Sequence, residues 1–371
     1  MKITRLDTFF VKPRWVFLKM STDEGVTGWG EPVVEGWSHA VAAAVDEMGK
    51  YLVGQDPRRI EHHWQALYRG AFYRGGSVIT SALSGIEQAM WDITGKWLGV
   101  PAYQLLGGAV RDKIRIYGHV HGETWGDYVE SGRRSLSRGF TAIKTCPFTA
   151  VRFVESAAFV DEVVAKIASL REEAGKSVDI GIDFHGRVSP AMAVQLCKVL
   201  EPFRPMFIEE PVLPENVDEM VRVARSTTVP IATGERLFTR FEFREVLEKG
   251  AAVILQPDVS HAGGIFEVRK IAAMAEAYYA SMAPHCPLGP IALAACLQVD
   301  ACTPNFLCQE QVNLGDGYLK KPFVAEAGYV AVPAGPGLGI EVDEEAVRGK
   351  LYDGYWQNPR YAYEDGSVAD W

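Results

Sequence analysis

Six acidic or imidazole side chains follow one another along the second half of the chain at nearly constant spacing. They are Asp183, Glu209, Glu235, Asp258, His285 and Glu310, which are 26, 26, 23, 27 and 25 residues apart. Each stands at the end of a short apolar segment that is typical of a buried strand. A parallel β/α barrel uses about 30 residues for each of its eight units, so this spacing predicts one such residue on each successive strand. We therefore expect the six side chains to converge at the C-terminal mouth of a barrel.

The first three of these residues, Asp183, Glu209 and Glu235, predict a site for a hard divalent cation. Three carboxylates cannot share a small space without a cation, because they repel each other or one becomes protonated. An all-oxygen set of ligands favours Mg²⁺, and Mn²⁺ is the alternative ion. Each acid by itself could instead cap the helix that follows its strand. That alternative does not account for the matched spacing of all three.

Asp258 and His285 are expected side by side on neighbouring strands. A carboxylate bonded to one imidazole nitrogen fixes the tautomer and raises the basicity of the other nitrogen. His285 is therefore a candidate general base. The alternative, which holds for most histidines, is a role in packing or an exposed surface position.

His185 is a second candidate acid or base, two residues after Asp183 in the segment Asp-Phe-His. Alternation along a strand would place the side chains of residues 183 and 185 on one side. We expect His185 to face the site from the side opposite His285. The alternative is an exposed loop histidine beyond the strand end.

The elements that must position these residues differ between the two halves of the chain. Residues 1–112 read as an α+β unit, with strands at 3–11, 15–20 and 26–29 and helices at 38–52 and 81–98. Residues 113–319 alternate strands with helices such as 151–174, 191–200 and 240–249, which predicts a parallel barrel. Residues 320–371 lose this regularity, and we expect them to return to the first unit. The eight strand candidates are 114–120, 141–144, 178–184, 206–209, 230–233, 252–256, 280–283 and 306–309.

Charge and cysteine content narrow the classes of function. The chain has 38 Lys and Arg against 47 Asp and Glu, a formal net charge of −9. This balance argues against binding to nucleic acid or to an anionic membrane, since both need clustered basic residues. An anionic substrate remains possible where a metal supplies local positive charge. The N-terminus lacks the apolar core of a signal peptide, and the six cysteines form no Cys-x-x-Cys pair, so we expect reduced thiols and a cytoplasmic protein.

The sequence resembles the mandelate racemase-like branch of the enolase superfamily over essentially its whole length. General features of the superfamily occur at residues 81–96, 106–108, 208–211, 234–236 and 336–339. Longer segments resemble the sugar-acid dehydratases of this branch, at residues 183–187, 256–264, 283–296, 309–311 and 364–371. Segments of this length do not agree by chance.

The resemblance implies a modified (β/α)₇β TIM-type barrel with an α+β capping domain. The barrel would be residues 113–319, and the capping domain would combine residues 1–112 with the returning segment 320–371. The resemblance also implies Mg²⁺ on Asp183, Glu209 and Glu235. Members of the superfamily commonly assemble from several copies, so we expect a homo-oligomer.

The implied activity is dehydration of an aldonate to a 2-keto-3-deoxy acid, with D-galactonate as the leading candidate substrate. His285, backed by Asp258, would take the C2 proton. His185 would protonate the departing 3-hydroxyl group, and Glu310 would hold the carboxylate or the enediolate. A Lys or His base with Mg²⁺ is the general pattern of this superfamily, so it agrees with the spacing argument but is not independent of it.

Four further residues are candidate substrate contacts. Racemases of this branch carry a Lys-x-Lys pair at the second barrel strand, whereas this chain has Lys144-Thr145-Cys146 and so lacks the second base. The dehydratases that it resembles are expected to carry asparagine in place of Cys146, which bears on the choice of aldonate. Lys144 is either a contact to the substrate carboxylate or a surface lysine. The resemblance places Arg14 and Trp15 over the barrel mouth, and the alternatives are an exposed arginine and packing within the cap.

Three functions are therefore compared below. The first is the aldonate dehydratase. The second uses the same site on another aldonate, or as a cycloisomerase of a sugar-acid lactone. The third is a noncatalytic sugar-acid-binding protein, which would have no need of a buried His–Asp pair beside three metal ligands.

Overall fold

The N-terminal part of the chain is an antiparallel sheet with helices packed against it, in a computed structural model that describes residues 1–122 and 124–371. Gly30 and Gly85 let the third strand and third helix approach closely, because a Cβ on Gly30 would collide with the Gly85 carbonyl. The second helix was not predicted from the sequence. The elements are β1 (Ile3–Val11), β2 (Trp15–Thr22), β3 (Thr27–Gly30), α1 (Ser38–Leu52), α2 (Ile60–Arg69), α3 (Ser77–Leu98) and α4 (Ala102–Leu105).

A parallel sheet of alternating β/α units follows, as the sequence predicts. Within the described residues it has seven strands that neighbour one another in chain order from β5 to β11. A short 3-10 helix at Glu201–Phe203 precedes the fourth of these strands. The elements are β4 (Lys113–Arg115), β5 (Gly118–Val120), α5 (Trp125–Ser137), β6 (Ala142–Thr145), α6 (Ala157–Ala174), β7 (Asp179–Asp183), α7 (Pro190–Leu200), β8 (Phe207–Glu209), α8 (Val217–Ala224), β9 (Ile231–Thr233), α9 (Thr239–Lys249), β10 (Ile254–Leu255), α10 (Ile265–Ala277), β11 (Ser281–Met282) and α11 (Pro290–Ala301).

The barrel is closed by the segment 306–309, which was predicted as the eighth strand. It makes single parallel bridges, Met282 to Phe306 on one side and Ile116 to Gln309 on the other, and has no continuous ladder. The predicted strand 114–120 is divided in two, because β4 pairs outward with a C-terminal strand while β5 joins the barrel. The seven regular strands and this closing segment confirm the barrel fold.

One predicted helix starts later than its apolar pattern suggested. Helix α6 begins at Ala157, because the Ser156 hydroxyl accepts a hydrogen bond from the Phe159 amide at 3.2 Å and caps the helix there. Residues 151–156 are therefore a loop at the barrel mouth.

The C-terminal segment contacts both halves of the protein. Leu351 bridges to Val11 of β1, and the Tyr318 hydroxyl donates to the Lys12 carbonyl at 2.8 Å. A strand at Tyr329–Ala331 pairs antiparallel with β4. The hairpin near the end of the segment contacts the barrel mouth, where the Tyr363 hydroxyl donates to the Val151 carbonyl. The elements are β12 (Ala325–Glu326), β13 (Tyr329–Ala331), α12 (Glu344–Arg348), β14 (Tyr361–Ala362) and β15 (Val368–Ala369).

Buried glutamates hold the N-terminal unit on the barrel. Glu31 accepts a hydrogen bond from the Gly289 amide at 2.7 Å, at the start of α11. Glu87 accepts one from the Ile265 amide at 2.7 Å, at the start of α10. The first amides of a helix have no partner within the helix and carry partial positive charge, so each contact satisfies both groups. The two contacts fix the orientation of the N-terminal unit over the barrel mouth.

Within the described residues, every helix is too short or too polar to cross a lipid bilayer.

An isolated buried carboxyl group lies at the C-terminal end of α11. Asp300 is 1% exposed, and neither of its side-chain oxygens has a hydrogen-bond partner among the described residues. Burial raises the pKa of Asp300 well above its usual range, and the nearby charge of Arg111 only partly offsets this effect. The folded protein therefore favours the protonated carboxyl group.

We expect Asp300→Asn to reduce the pH dependence of stability. In wild type the unfolded chain ionises Asp300 at its ordinary pKa while the folded protein retains the proton, so the free energy of unfolding falls as pH rises above about 4. Thermal unfolding followed by circular dichroism should show a larger loss of Tm between about pH 5 and about pH 8 in wild type than in the variant. The exposed Asp46→Asn serves as the matched control. Identical slopes in all three proteins would contradict this assignment.

Candidate active site at the barrel mouth

A cavity of about 470 Å³ opens at the C-terminal mouth of the barrel, beneath the N-terminal unit. Cavities that bind small molecules typically measure about 300–1,000 Å³. Arg14 and Glu35 of the N-terminal unit form part of its wall. The predicted site residues that line it from the barrel are Lys144, Cys146, Asp183, His185, Glu235, His285 and Glu310.

Two of the three predicted metal ligands, Asp183 and Glu235, line the cavity, whereas Glu209 is fully buried. Asp183 and Glu209 end neighbouring strands and are register partners, so they lie at the same height. Glu235 lies beyond the end of β9 at Thr233, so it is higher in the barrel than the spacing alone suggested. Gly234 makes this turn with φ of 142°, and a Cβ there would lie 2.7 Å from the Phe243 ring. Only glycine fits that position.

His185 points into the cavity because of a turn and not because of strand alternation. Strand β7 ends at Asp183, and His185 has φ of 51°, a region that non-glycine residues rarely occupy. Its amide donates to Asp183 Oδ1 at 2.8 Å, and its Nε2 lies 2.9 Å from Asp183 Oδ2. Burial lowers the pKa of His185, but the Asp183 carboxylate outweighs this effect and raises it to about 11. The side chain is 35% exposed and faces the acids, unlike a free loop histidine.

Asp258 and His285 form a direct pair, as their neighbouring strands predicted. His285 Nδ1 lies 2.7 Å from Asp258 Oδ2, and the Ser260 amide donates to the other carboxylate oxygen at 2.7 Å. A carboxylate only accepts, so the proton is on Nδ1 and Nε2 faces the cavity. That nitrogen is 3.3 Å from Glu235 Oε2. Burial lowers the pKa of His285, but the charges of Glu310, Asp258 and Glu235 raise it to about 10.

Lys144 is the central cation of the site. Its Nζ lies 2.8 Å from Glu209 Oε1, 2.9 Å from Glu310 Oε1 and 3.3 Å from Asp183 Oδ2. The residue is 5% exposed, so the alternative of a surface lysine is wrong. Burial lowers the pKa of Lys144, but the surrounding carboxylates raise it well above its usual range. Lys144 therefore stays charged.

An unpaired buried oxygen of Glu209 makes the acidic cluster suitable for a divalent cation. Glu209 Oε2 is buried and has no hydrogen-bond partner among the described residues. Burial raises the pKa of Glu209 to about 8, and repulsion from Asp183 and Glu235 adds to this effect. A buried carboxylate oxygen without a partner is costly unless a cation compensates it. An ion there would also reduce the pull of Glu235 on His285 and so favour the neutral imidazole.

The ligand atoms that lie together differ in one member from the predicted set. Asp183, His185 and Glu235 offer atoms within 4.8 Å of one another, whereas the prediction was Asp183, Glu209 and Glu235. Glu209 lies outside this group because Lys144 attracts its Oε1. The orphaned Oε2 of Glu209 nevertheless leaves one oxygen free for a metal ion.

Glu310 and the two N-terminal candidates occupy three different environments. Glu310 is 1% exposed, and its Oε2 accepts from the Cys286 amide at 3.0 Å. Arg14 lines the cavity and donates from Nη2 to the Pro287 carbonyl at 3.2 Å. Trp15 is 3% exposed and packs 4.9 Å from the Tyr318 ring, so its position corresponds to packing within the cap.

Cys146 stands where the cavity wall meets a buried arginine. Arg187 Nη1 donates toward Cys146 Sγ at 3.3 Å and to the Phe148 carbonyl at 3.0 Å. The thiol is half-buried and itself donates to the Phe148 carbonyl at 3.1 Å. The side chain at position 146 therefore contributes directly to the shape of the cavity.

Several cavity residues were not predicted from the sequence. His119 Nε2 lies 3.4 Å from Glu310 Oε1, and burial lowers its pKa to about 4, so it is neutral. Arg236 is held by Glu210, with Nη2 2.8 Å from Glu210 Oε2. The available signal was the segment His119-Val-His121, which lines the cavity at the end of β5 and just beyond it. The cavity also includes Glu35, His121, Arg236, His261, Pro287, Val312 and Trp371.

Two family models match the chain. Residues 7–107 match the mandelate racemase / muconate lactonizing enzyme N-terminal domain, and residues 127–346 match the enolase C-terminal domain-like model.

Curated relatives match over the full length of both chains. A D-galactonate dehydratase of Ralstonia nicotianae is 52% identical, with 100% of each chain covered. A D-galactonate dehydratase of Cronobacter sakazakii is 51% identical, again with 100% of each chain covered. Among solved structures, an enolase of Agrobacterium radiobacter, provisionally described as a galactarate dehydratase and bound to sodium and L-malate, matches with a TM-score of 0.93 and 33% identity over 100% of each chain.

We expect Glu209→Gln to weaken divalent metal binding by about tenfold or more, because it removes the charge of the orphaned buried oxygen. Calorimetric titration with Mg²⁺, and electron paramagnetic resonance with Mn²⁺, measure the affinity directly. Glu341→Gln is the control, since this acid pairs with Lys320 on the surface. Wild-type affinity in Glu209→Gln would remove Glu209 from the ligand set.

Proposed function

The chain belongs to the mandelate racemase/muconate lactonizing enzyme family of the enolase superfamily, and on that premise we propose that it is a metal-dependent sugar-acid dehydratase acting on D-galactonate. The products are 2-dehydro-3-deoxy-D-galactonate and water. The observation that carries the proposal is the 2.7 Å pair of Asp258 and His285, at a cavity that His185, Asp183 and Glu235 also line. Two full-length relatives that are 52% and 51% identical to this chain are named D-galactonate dehydratase, which supports the choice of substrate.

Asp183, Glu209 and Glu235 would hold the divalent metal, which we propose is Mg²⁺. When bound, this ion supplies Lewis-acid stabilisation of the negative charge that builds up on the substrate carboxylate. Lys144, already in contact with Glu209 and Glu310, would add a fixed positive charge at the same end of the cavity. A local cationic site thus lets an acidic protein bind an acid.

His285 would remove the C2 proton through Nε2, because its Nδ1–H is committed to Asp258. A proton next to a carboxylate is barely acidic, since its removal produces an enediolate with two negative charges. Glu310, whose Oε2 is anchored on the Cys286 amide, would hold the carboxylate end of this species. The electrostatic environment therefore has to be arranged before the proton leaves.

His185 would give its proton to the departing 3-hydroxyl group, because hydroxide itself is a poor leaving group. The C3–O bond breaks, the proton of His185 and the hydroxyl group form water, and the resulting enol tautomerises to the 2-keto acid. Asp183 Oδ2 lies 2.9 Å from His185 Nε2 and so positions the imidazole within the cavity. Acid and base thus face the substrate from two sides.

Cys146 favours a second candidate within the same class, a dehydratase of another aldonate. Its thiol replaces the asparagine expected in galactonate dehydratases and lies in the cavity wall beside Arg187. A two-base racemase has no support, because position 146 carries no second lysine. A lactone cycloisomerase or a noncatalytic sugar-acid-binding protein would use the same cavity without loss of the 3-hydroxyl group.

We also propose that the enzyme works as a homo-oligomer in the cytoplasm, with a small sugar acid as its partner. Membership of the enolase superfamily supports the proposal of a homo-oligomer. The six cysteines, all free thiols in the described residues, are compatible with a reducing compartment.

Incubation of the purified protein with a panel of sugar acids and Mg²⁺ tests the substrate. We expect the 2-keto-3-deoxy product from D-galactonate, detected as a carbonyl derivative and by mass spectrometry. Cys146→Asn, run beside wild type, should shift preference among aldonates if position 146 contacts the substrate. Turnover of another aldonate but not of D-galactonate would move the assignment to the second candidate, and binding without turnover would favour the binding protein.

His285→Asn should lower kcat by about 10²–10⁴-fold and abolish C2 proton exchange, because the base is lost. Exchange is measured by NMR in D₂O, and Mn²⁺ binding should persist in the variant. His62→Asn, at an exposed position, is the matched control. Loss of metal binding in His285→Asn would contradict its assignment as a base.

A further inference from the structure

The C-terminal strap, defined as residues 356–371, crosses the cavity mouth from the N-terminal unit to the barrel. On the side of the N-terminal unit, the Arg14 guanidinium lies 4.9 Å above the Trp356 ring. On the barrel side, the Arg187 guanidinium lies 5.0 Å from the Tyr361 ring, and the Tyr363 hydroxyl donates to the Val151 carbonyl at 2.9 Å. The strap is therefore anchored at both walls of the cavity.

The strap delivers its last residue to the cavity. Trp371 lines the cavity together with Arg14, Cys146 and His185. Its ring centroid is 6.1 Å from that of Trp356, with an angle of 53° between the planes. The indole is thus supported by the same ring that stacks on Arg14.

The depth of each residue shows which part of a substrate it would meet. Lys144 and Glu310 are 5% and 1% exposed and lie at the bottom of the cavity, whereas Trp371 is 43% exposed and lies at the rim. The proposed chemistry uses the carboxylate, C2 and C3 at the bottom, among Lys144, His285 and His185. Any further carbons of the substrate must extend toward the rim.

We propose that Trp371 is a specificity-determining residue that contacts the end of the sugar acid remote from its carboxylate and so selects for chain length. A rigid indole offers a large apolar face and an N–H donor, which together suit the C–H face and hydroxyl groups of a polyol. This inference rests on the proposed function, since it requires a sugar acid bound by its carboxylate at the bottom of the cavity.

The anchoring of the strap links chain-length selection to position 146. Arg187 contacts both Cys146 Sγ, at 3.3 Å, and the Tyr361 ring, at 5.0 Å. Its Nε is buried without a partner among the described residues, so the contacts of the guanidinium tips and its face hold it in place. The loop at residues 146–151 and the strap therefore form one continuous part of the cavity rim.

The experiment compares kcat and KM of wild type, Trp371→Ala and Trp371→Phe on acids of six, five and four carbons with the same configuration at C2 and C3. We expect Trp371→Ala to raise KM for the six-carbon acid by about tenfold with kcat within about twofold, because a remote contact contributes mainly to binding. The four-carbon acid, which does not reach the rim, should change by less than about twofold. For the six-carbon acid, the KM of Trp371→Phe should lie between the values of wild type and Trp371→Ala.

Val368→Ala is the matched control, since this strap side chain is 87% exposed and is not part of the cavity lining. It should behave as wild type on all three acids. Equal changes for all chain lengths in Trp371→Ala, or no change with any of them, would overturn the inference while leaving the proposed function intact. A wild-type protein that dehydrates none of the acids would refute the proposed function and this inference with it.

Discussion

Buried negative charge is the constraint on which the site depends. Asp183, Glu209 and Glu310 are at most 2% exposed and surround a single lysine, Lys144. The His185 imidazole lies against Asp183 as a further basic group, but one buried oxygen of Glu209 has no partner in the described residues, and such an oxygen is costly to bury alone. A divalent cation at that oxygen would compensate the buried negative charge and would also attract an anionic substrate.

The surrounding fold exists to hold these charges in register. Parallel strands place Asp183 and Glu209 at one height, and the close turn at Gly234 brings Glu235 toward them. The N-terminal unit is fixed over the mouth by Glu31 and Glu87, which take up free amides at the starts of two barrel helices. Small displacements between reacting groups cost large factors in rate, so this rigid docking is part of the chemistry. The C-terminal segment completes the enclosure by contacting both units.

The overall charge of the protein and the charge of its site act on different partners. A net charge of −9 disfavours nucleic acid and anionic membranes, which meet the whole surface. A small acid meets only the cavity, where Lys144, Arg14 and Arg236 supply positive charge. Membership of the mandelate racemase/muconate lactonizing enzyme family, together with the hydrogen-bonded pair of Asp258 and His285, favours proton abstraction next to a carboxylate. At position 146 this chain departs from the expected dehydratase pattern. Arg187 contacts both Cys146 and Tyr361 of the strap.

The sequence by itself determined the barrel and most of the acids that line its mouth. A β/α unit has a nearly constant length, so Asp183, Glu209, Asp258 and His285 reveal their positions by spacing alone. Helix α2 escaped prediction, and the eighth strand is reduced to two bridges because barrel closure depends on segments far apart in the chain.

Only the tertiary structure decided the direction of several side chains. His185 faces the acids through a turn of positive φ, and Lys144 points inward because three carboxylates from other strands attract it. Trp371 reaches the cavity through a strap whose anchors, Arg14 and Arg187, are remote in sequence. Periodicity reports which strand a residue ends, because it depends on local backbone geometry. It does not report contacts between distant segments, because these follow from packing of the whole chain.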